Sequence, residues 1–454
     1  MKIVIAGCGK IGTAVLTNLV SEGHDVVVID NDDSVISYLT DIYDVMGVCG
    51  SATDYEILSE AGVSSAELFF SSTGSDELNM LSCYIAKKMG AAHTIARIRN
   101  PEYNSPSFSF MKQNLGLSMS VNPELLAAQE LHNILRLPSA VNIETFCQNS
   151  FEMVELRLKP DSPLDGVRLM DLRNLYKAKF LVGAVQRGDD VFIPDGNFVL
   201  RAGDRIGLTA SPVEMLRILK SIGVLQKRAK NVMLFGGGRI SFYLARMLLS
   251  GGHTVKIIEK DPQLCQFFSD ELSGEVIMIQ GDGTHRELLQ EEGLDKQDAF
   301  VSLTGMDEQN ILISCYAASQ NVPKVITKVN REELMDMAER LGLDSIISPK
   351  HTVANILVRY ARALRNSLGS SVETLYKLMD DKVEALEFTV KQDASNATEK
   401  KLCDLKLKPN ILIAGIIRER KTIIPSGEDM ILPGDRVVVL AANQRLQDFS
   451  DILK

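Results

Sequence analysis

The stretch that decides the fold is Lys2-Ile-Val-Ile-Ala-Gly7-Cys8-Gly9-Lys10-Ile11-Gly12, a short β-branched run that leads into Gly-x-Gly-x-x-Gly. It predicts a strand, a tight turn and a helix whose free N–H groups and positive end can bind phosphates. Asp30 ends the next predicted strand, 18 residues after Gly12. Its carboxylate can accept hydrogen bonds from both ribose hydroxyls and would repel a 2′-phosphate. The alternative is a glycine turn that serves packing alone.

The same pattern returns later in the chain, as Asn231-Val-Met-Leu-Phe-Gly236-Gly237-Gly238-Arg239-Ile240-Ser241. Gly7 maps to Gly236 and Asp30 to Glu259 with one offset, 229, and the matches continue at nearly constant offset to the C-terminus. The chain therefore consists of two tandem copies of one unit. Ser241 replaces the third glycine, and we expect its side chain to spread the contact between helix and strand slightly.

Each unit begins with short β-branched runs that alternate with amphipathic segments, a pattern typical of a parallel sheet with helical crossovers. A smaller part with short strands and Pro/Gly turns follows. The predicted fold class is α/β, with two tandem Rossmann-type parallel-sheet domains, each followed by a small α+β lobe. The predicted boundaries are 1–122 (sheet domain), 123–150 (linking helix), 151–226 (lobe), 227–348 (sheet domain), 349–371 (linking helix) and 372–454 (lobe).

The linking helices open at Pro123 and near Pro349, because proline is well tolerated at a helix start. The first of them leads out of its sheet domain. It packs either on another subunit or on its own sheet, and the sequence does not separate these alternatives.

Further residues are expected to border the crevice at the carboxyl ends of the strands, where ligands of such sheets lie. Thr73-Gly74 and Thr304-Gly305 close the fourth strands, and Arg97 and Lys328 end the fifth. The two cations could reach phosphates, or they could be ordinary solvated charges. Asp54 and Asp282 either order the loop after the third strand or cap the next helix.

Composition narrows the function classes. The net charge of −10, from 49 basic and 59 acidic residues, argues against binding to nucleic acid. Apolar runs are strand-sized, and seven scattered cysteines indicate reduced thiols in a cytoplasm. The histidines and cysteines do not cluster at the spacing of metal ligands, so the sequence does not predict a metal site. A dehydrogenase needs an acid or base beside the nicotinamide, and no histidine occupies such a position in both copies. Two nucleotide sites without visible chemistry favour a sensor over an enzyme.

These residues together resemble the TrkA family, the peripheral regulatory subunits of bacterial Trk potassium-uptake systems. The resemblance rests on Gly7-Cys-Gly-Lys-Ile-Gly12, Asp30, Gly281-Asp-Gly-Thr284, the matching runs Asp76-Glu-Leu-Asn79 and Asp307-Glu-Gln-Asn310, and Ala96-Arg-Ile-Arg-Asn-Pro-Glu-Tyr103. It implies RCK-N sheet domains, each with an RCK-C lobe. The first nucleotide site would be formed by Gly7, Cys8, Gly9, Lys10, Ile11, Gly12, Asp30, Thr73, Gly74 and Arg97. The second would be formed by Gly236, Gly237, Gly238, Arg239, Ile240, Glu259, Thr304, Gly305 and Lys328.

The resemblance also implies a functional setting. NAD(H), ATP or ADP would bind these sites in a cytoplasmic tetramer, peripheral on the inner face of the membrane, and gate a TrkH/TrkG-like membrane subunit. Two rival functions stay open: an NAD-dependent oxidoreductase, and a nucleotide-sensing regulator of another cation channel or antiporter.

Overall fold

In a computed structural model of the chain, the first glycine turn joins a strand to a helix, as the sequence predicts. The structure describes residues 1–104, 110, 112–147, 150–176, 178–224, 229–272, 274–366, 372–379, 382–390, 397–419, 421–444, 446 and 448–454.

The first sheet contains six parallel strands in the order β3-β2-β1-β4-β5-β6. They are β1 Lys2–Ala6, β2 Asp25–Asp30, β3 Met46–Cys49, β4 Leu68–Ser71, β5 His93–Arg97 and β6 Met119–Val121. The helices between them are α1 Lys10–Ser21, α2 Asp33–Ile42, α3 Tyr55–Glu60 and α4 Asp76–Met89. Residues 3–6 of the central strand are fully buried, because helices cover both faces of the sheet. The strand order reverses between β1 and β4, which places the crevice beside the glycine turn.

The first lobe has five antiparallel strands in the order β10-β9-β11-β8-β7. Its elements, with the helix that leads to it, are α5 Pro123–Arg136, β7 Asn142–Phe146, β8 Phe151–Arg157, α6 Leu169–Tyr176, β9 Leu181–Arg187, β10 Asp190–Phe192, β11 Arg205–Ala210 and α7 Pro212–Ser221. The linking helix predicted over 123–150 thus ends at Arg136, and the following residues add an edge strand to the lobe.

The second unit repeats the first sheet domain, with order β14-β13-β12-β15-β16-β17. Its strands are β12 Asn231–Phe235, β13 Thr254–Glu259, β14 Ile277–Gln280, β15 Ala299–Ser302, β16 Lys324–Lys328 and β17 Ile346–Ile347. Its helices are α8 Arg239–Ser250, α9 Pro262–Glu271, α10 Arg286–Glu291, α11 Asp307–Ser319 and α12 Glu332–Arg340. The predicted division at 226/227 lies outside the described residues.

The second lobe again has five strands, in the order β18-β19-β22-β20-β21. The elements are α13 Pro349–Asn366, β18 Val372–Leu378, β19 Val383–Thr389, β20 Ile411–Arg418, β21 Lys421–Ile423 and β22 Arg436–Ala442. The predicted end of the second linking helix, at 371, lies outside the described residues. The predicted fold class, two tandem Rossmann-type domains each followed by a small lobe, is confirmed.

The linking helices pack in a way that neither alternative anticipated. Helix α5 packs on α8 of the second unit, where Leu131 and Leu135 share a fully buried cluster with Leu244 and Leu248. Helix α13 packs on α1 of the first unit in the same manner. The two units therefore exchange helices within one chain, and each sheet domain is covered by the helix of the other.

Ion pairs and hydrogen bonds reinforce this exchange. Arg362 of α13 pairs with Glu22 at the end of α1, with Nε 2.8 Å from the carboxylate. Asn122, at the start of α5, donates to the Tyr243 hydroxyl of α8 at 3.0 Å. If either exchanged helix shifted along its neighbour, these buried polar groups would lose their partners, which is costly. The pairs therefore fix the register of the exchanged helices.

The two lobes pack sheet against sheet. Phe146 and Phe151 of the first lobe lie in one buried cluster with Val438 and Leu440 of the second. A buried glutamate from each lobe crosses the interface, with Glu155 accepting from the Met379 N–H at 3.3 Å and Glu387 from the Cys147 N–H at 2.7 Å. Within the described part of the chain, no helix combines the length and apolar character needed to cross a bilayer.

Candidate nucleotide sites

The first glycine turn requires its first glycine. Gly7 follows β1 with φ +87°, a left-handed backbone that side chains disfavour. A Cβ there would stand 2.6 Å from the Thr73 nitrogen. The turn and the end of β4 therefore approach as closely as two backbones can.

Both crevices have the open space that a phosphate needs. An added Cβ would meet nothing within 4 Å at Gly9 and Gly74, nor at their counterparts Gly238 and Gly305. Gly9 and Gly238 are also the N-caps of α1 and α8, with no side-chain cap bond. Free helical N–H groups thus face unfilled space, and the residues present fit a nucleotide phosphate.

The third position of the turn differs between the units, and the structure shows how the difference is accommodated. In the first unit a Cβ at Gly12 would lie 2.0 Å from the Gly7 oxygen, and the Ser72 hydroxyl donates to that oxygen at 2.8 Å. In the second unit the fully buried Ser241 donates to the equivalent Gly236 oxygen. Leu303, which lacks a hydroxyl, stands where the first unit has Ser72. The serine that donates to the turn therefore follows β4 in the first unit and lies on helix α8 in the second. In both units the carbonyl oxygen of the first glycine accepts a hydrogen bond from a serine hydroxyl.

The predicted loosening at Ser241 is small. A Cβ at Gly236 would stand 3.1 Å from the Thr304 nitrogen, against 2.6 Å for the corresponding pair in the first unit. The turn is a few tenths of an ångström wider there, while its φ of +103° keeps the same left-handed form.

A carboxylate ends the second strand of each sheet and is held by backbone N–H groups. Asp30 accepts from Cys8 N at 2.7 Å and from Asp32 N at 3.1 Å. Glu259 accepts from Gly237 N at 2.6 Å and from Asp261 N at 2.9 Å. Both acids are therefore oriented beside the turn before any ligand arrives.

The longer glutamate constrains the residue opposite it. A Cβ at Gly237 would lie 2.9 Å from Glu259 Cγ, whereas Cys8 carries its side chain beside the shorter Asp30 without difficulty. Burial, together with the charge of Asp30, raises the pKa of the Cys8 thiol to about 12. This thiol is protonated at neutral pH and is not a nucleophile.

Asparagines Asn79 and Asn310 support both sites, although we did not predict them. Asn79 Oδ1 accepts from Thr73 N and Oγ1, both at 2.7 Å, and its amide donates to the Arg97 carbonyl at 2.9 Å. Asn310 makes the same set of bonds in the second unit. Each asparagine thereby fixes the ends of two neighbouring strands. The signal was present in the repeat, which preserves Asp-Glu-x-Asn in both copies.

Arg97 and Lys328 are not solvated charges. The Arg97 side chain is 17% exposed, with Nη2 3.8 Å from Glu124 at the start of α5. Burial lowers the pKa of the Arg97 guanidinium, and among the neighbouring charges Arg239, from the second glycine turn, acts in the same direction. Burial also lowers the pKa of the Lys328 ammonium, with Lys10 of the first turn adding to this. Arg97 therefore lies beside the first turn of α5, and Lys328 Nζ donates to the Leu303 carbonyl at 3.3 Å.

The acidic residues after the third strands divide between the two predicted roles. Asp54 caps α3 by accepting from Glu56 N at 2.8 Å. Asp282 instead orders its own loop, accepting from the N–H and the hydroxyl of Thr284 at 2.9 and 2.7 Å. No group of three or more metal-ligating side chains converges in the described part of the chain.

Comparison with known proteins gives consistent matches over the whole chain. A family model described as the TrkA-N domain matches residues 3–123 and 232–349, and one described as the TrkA-C domain matches 153–223 and 386–454. The Trk system potassium uptake protein TrkA homolog of Archaeoglobus fulgidus is 33% identical, with 100% of each chain covered. TrkA homolog 1 of Methanosarcina mazei is 31% identical over 97% of each chain. TrkA of Vibrio alginolyticus is 28% identical, over 98% of this chain and 96% of that one.

Solved structures share the fold at lower sequence identity. The RCK domain of GsuK superposes with a TM-score of 0.63 at 17% identity, covering 97% of this chain and 92% of that chain. A GsuK channel described as bound to NAD has a TM-score of 0.62 at 18% identity, covering 97% and 77%.

Proposed function

The chain belongs to the TrkA family, and from this membership we propose that it is the cytoplasmic regulatory subunit of a potassium-uptake system, gated by adenine nucleotides. The resemblance read from the residues is confirmed by the family matches. The relatives are named as potassium-uptake proteins rather than as enzymes, in agreement with the expectation of a non-enzymatic protein.

NAD(H), ATP or ADP would bind both crevices in the same pose. The phosphates would lie on the turns at Gly7–Gly12 and Gly236–Ser241, and the ribose hydroxyls would donate to Asp30 and Glu259. Thr73-Gly74 and Thr304-Gly305 would border the ligand, with Arg97 and Lys328 near the phosphates. The open space at the glycine positions and the anchored carboxylates support this assignment. So does the description of GsuK, which shares the fold, as bound to NAD.

One observation carries the proposal: Arg97, at the end of β5 in the first crevice, has Nη2 3.8 Å from Glu124 at the start of the linking helix α5. A nucleotide phosphate near Arg97 would compete with Glu124 for the guanidinium, because both are anions. Nucleotide binding would therefore change the contact between the first sheet domain and α5.

The exchanged helices would transmit that change. Each linking helix packs on the glycine-turn helix of the other unit and leads into a lobe, so a shift between sheet domains moves both lobes. To change a two-state balance from 1:99 to 99:1, ligands must supply roughly 5.5 kcal/mol of differential affinity. Two sites in each chain of a tetramer could share that amount.

Exposed apolar side chains support assembly with further copies. Leu81 on α4 is 49% exposed and its counterpart Leu312 on α11 is 67% exposed. The two leucines occupy matching positions of the repeated helices α4 and α11, on the sides that the described residues leave open. We propose that these two faces join neighbouring chains in the tetramer.

Rubidium flux through the membrane partner in liposomes tests the gating proposal. Flux should change several-fold between nucleotide-free protein and protein with ATP, ADP, NAD or NADH. The double variant Asp30→Asn/Glu259→Gln should lose that response, while Glu60→Gln, an exposed carboxylate on the same domain, should keep it. Flux that ignores every nucleotide would refute gating, and turnover of NADH by the purified chain would favour an oxidoreductase.

A further inference from the structure

An exposed apolar face lies at one edge of the first sheet domain. Tyr38 and Ile42 are 62% and 53% exposed, and because they are four residues apart on α2 they lie on the same side of that helix. Met46 is 49% exposed and begins β3, the outermost strand of the sheet. Grouped apolar side chains on a surface mark interaction sites, whereas isolated ones are common. These three side chains and the outer edge of β3 are called the α2–β3 face.

Helix α2 lies directly on β3. A Cβ at Gly47 would stand 2.5 Å from Ile36 Cγ2 and 2.9 Å from Thr40 Cγ2. The helix and the strand therefore approach this closely only because position 47 has no side chain. The close packing joins the exposed side of the helix and the edge of the strand in one surface.

The outer edge of β3 is open. Gly50 N donates to the Asp30 carbonyl at 2.8 Å, on the side of β2. Because successive residues of a strand direct their backbone groups to alternate sides, Gly47 and Cys49 direct their N–H and C=O groups outward. Among the described residues, no strand pairs with this edge. Such an edge is a template to which an extended segment of another chain can add as a further strand.

The surroundings of the face are acidic. Between Lys10 and Lys87 the sequence has no lysine or arginine, but it has thirteen aspartates and glutamates. Two of these, Asp41 and Asp44, are exposed beside the apolar side chains. The corresponding stretch of the second unit, 240–317, contains five basic residues: Arg246, Lys256, Lys260, Arg286 and Lys296. The α2–β3 face therefore has an apolar centre in strongly negative surroundings.

The second unit does not repeat the face. Phe267 and Ile277, at the positions of Tyr38 and Met46, are also exposed. Glu271, however, stands at the position of Ile42 and is exposed, so a carboxylate interrupts the apolar side of the helix. A partner can therefore distinguish the first sheet domain from the second.

The charge of the face selects its occupant. Cytoplasmic loops of membrane proteins carry an excess of lysine and arginine, which complements the acidic surroundings. An anionic lipid surface would be repelled, and a second copy would place acidic side chains against acidic ones. We propose that the α2–β3 face binds an extended, Lys/Arg-rich cytoplasmic segment of the membrane subunit, which adds a strand to β3 and packs apolar side chains on Tyr38 and Ile42. This inference rests on the proposed function and names the surface that holds the partner.

The face adjoins the first nucleotide crevice. Asp30 accepts from Asp32 N at 3.1 Å, and Asp32 in turn caps α2 by accepting from Ser34 N at 3.0 Å. A nucleotide held by Asp30 would therefore act on the first turn of the helix that carries the docked segment.

Binding of the full chain to the membrane subunit used in the flux measurement, held in nanodiscs, tests the proposal by biolayer interferometry. We expect Tyr38→Glu and Ile42→Glu each to weaken binding at least tenfold. Asp41→Asn/Asp44→Asn should also weaken it and should reduce its dependence on salt. Phe267→Glu is the matched control, because it places the same charge at the equivalent position of the second unit, and it should bind as the wild-type protein does. Thermal unfolding of each variant shows whether it is folded.

The outcomes separate this proposal from the gating proposal. Wild-type affinity in folded Tyr38→Glu and Ile42→Glu would overturn the docking face alone, whereas absence of binding by the wild-type chain would overturn both proposals. An equal loss in Phe267→Glu would overturn the assignment to the first unit. Loss of the tetramer in Tyr38→Glu, measured by light scattering, would identify a second copy as the occupant. Binding to phosphatidylglycerol vesicles without the subunit, with the same dependence on Tyr38, would identify lipid instead.

Discussion

Replacing Gly237 with alanine should weaken nucleotide binding at the second site, because the new Cβ would stand 2.9 Å from Glu259 Cγ. Carbon atoms in good contact are about 3.5–4.0 Å apart, so Glu259 must move by at least several tenths of an ångström. That shift disturbs the 2.6 Å bond from Gly237 N and misplaces the oxygens that would accept from the ribose. A hydrogen bond to a charged group contributes about 1.5–3 kcal/mol, and 1.4 kcal/mol is about tenfold in affinity. The expected loss is therefore about 10- to 150-fold.

The rescue is specific. In Gly237→Ala/Glu259→Asp the shorter acid should restore most of the affinity, because the first site already combines Asp30 with a side chain at Cys8. ADP binding is measured by calorimetry in an Asp30→Ala background that silences the first site, with thermal unfolding as the check on folding. An unchanged affinity in the single variant, or a folded double variant that stays weak, would refute the coupling between the turn residue and the length of the acid.

Other predictions concern stability. Ser241→Ala removes the donor to the Gly236 oxygen and should lower the free energy of unfolding by about 1–3 kcal/mol, measured by urea denaturation; no change would mean that water satisfies that oxygen. Leu131→Ala opens a void between exchanged units and should cost about 2–5 kcal/mol, lowering the stability of the second sheet domain as seen by hydrogen exchange. Burial lowers the pKa of Lys324 to about 7, so between pH 7 and its unfolded pKa near 10.5 the unfolded chain binds more protons and stability rises with pH. Relative to Lys324→Met, the wild-type protein should gain about 2 kcal/mol between pH 7 and 9; parallel pH profiles would contradict this.

The sheet domains were predictable because their signals are local. A buried parallel strand is a short run of β-branched residues. Each glycine turn in addition indicates a strand before it and a helix after it. Repetition strengthened every assignment, since the same order of elements had to satisfy two different sequences.

The exchange of helices was not predictable from the sequence, for a physical reason. The apolar stripe of α5, with Leu131 and Leu135, shows that the helix is covered but not which sheet covers it. Helices α1 and α8 both present apolar residues that can bury such a stripe, so the periodicity of a linking helix fits either of them. Chain geometry decides between them, and it involves residues far apart in sequence.

The compensation at Ser241 was missed because it spans two positions. The substitution of serine for glycine is visible at once, but the loss of the hydroxyl at Leu303 becomes relevant only when β15 lies against the turn. Features formed by residues distant in sequence need the fold before they can be recognised.

The exchanged helices also bear on how such a protein could arise. In a single ancestral unit the apolar face of the linking helix would have been exposed to solvent. Covering it would have required association with a second molecule, at a rate set by the protein concentration. Fusion of two gene copies supplies the partner on the same polypeptide, at an effective concentration of about millimolar or more. After fusion each unit always packs on the other unit of the same chain, so selection can change the packed surface of one unit without changing that of the other. The serine that lies at position 72 in the first unit and at position 241 in the second is a divergence of this kind. In a dimer of identical chains, any such change would occur in both subunits at once.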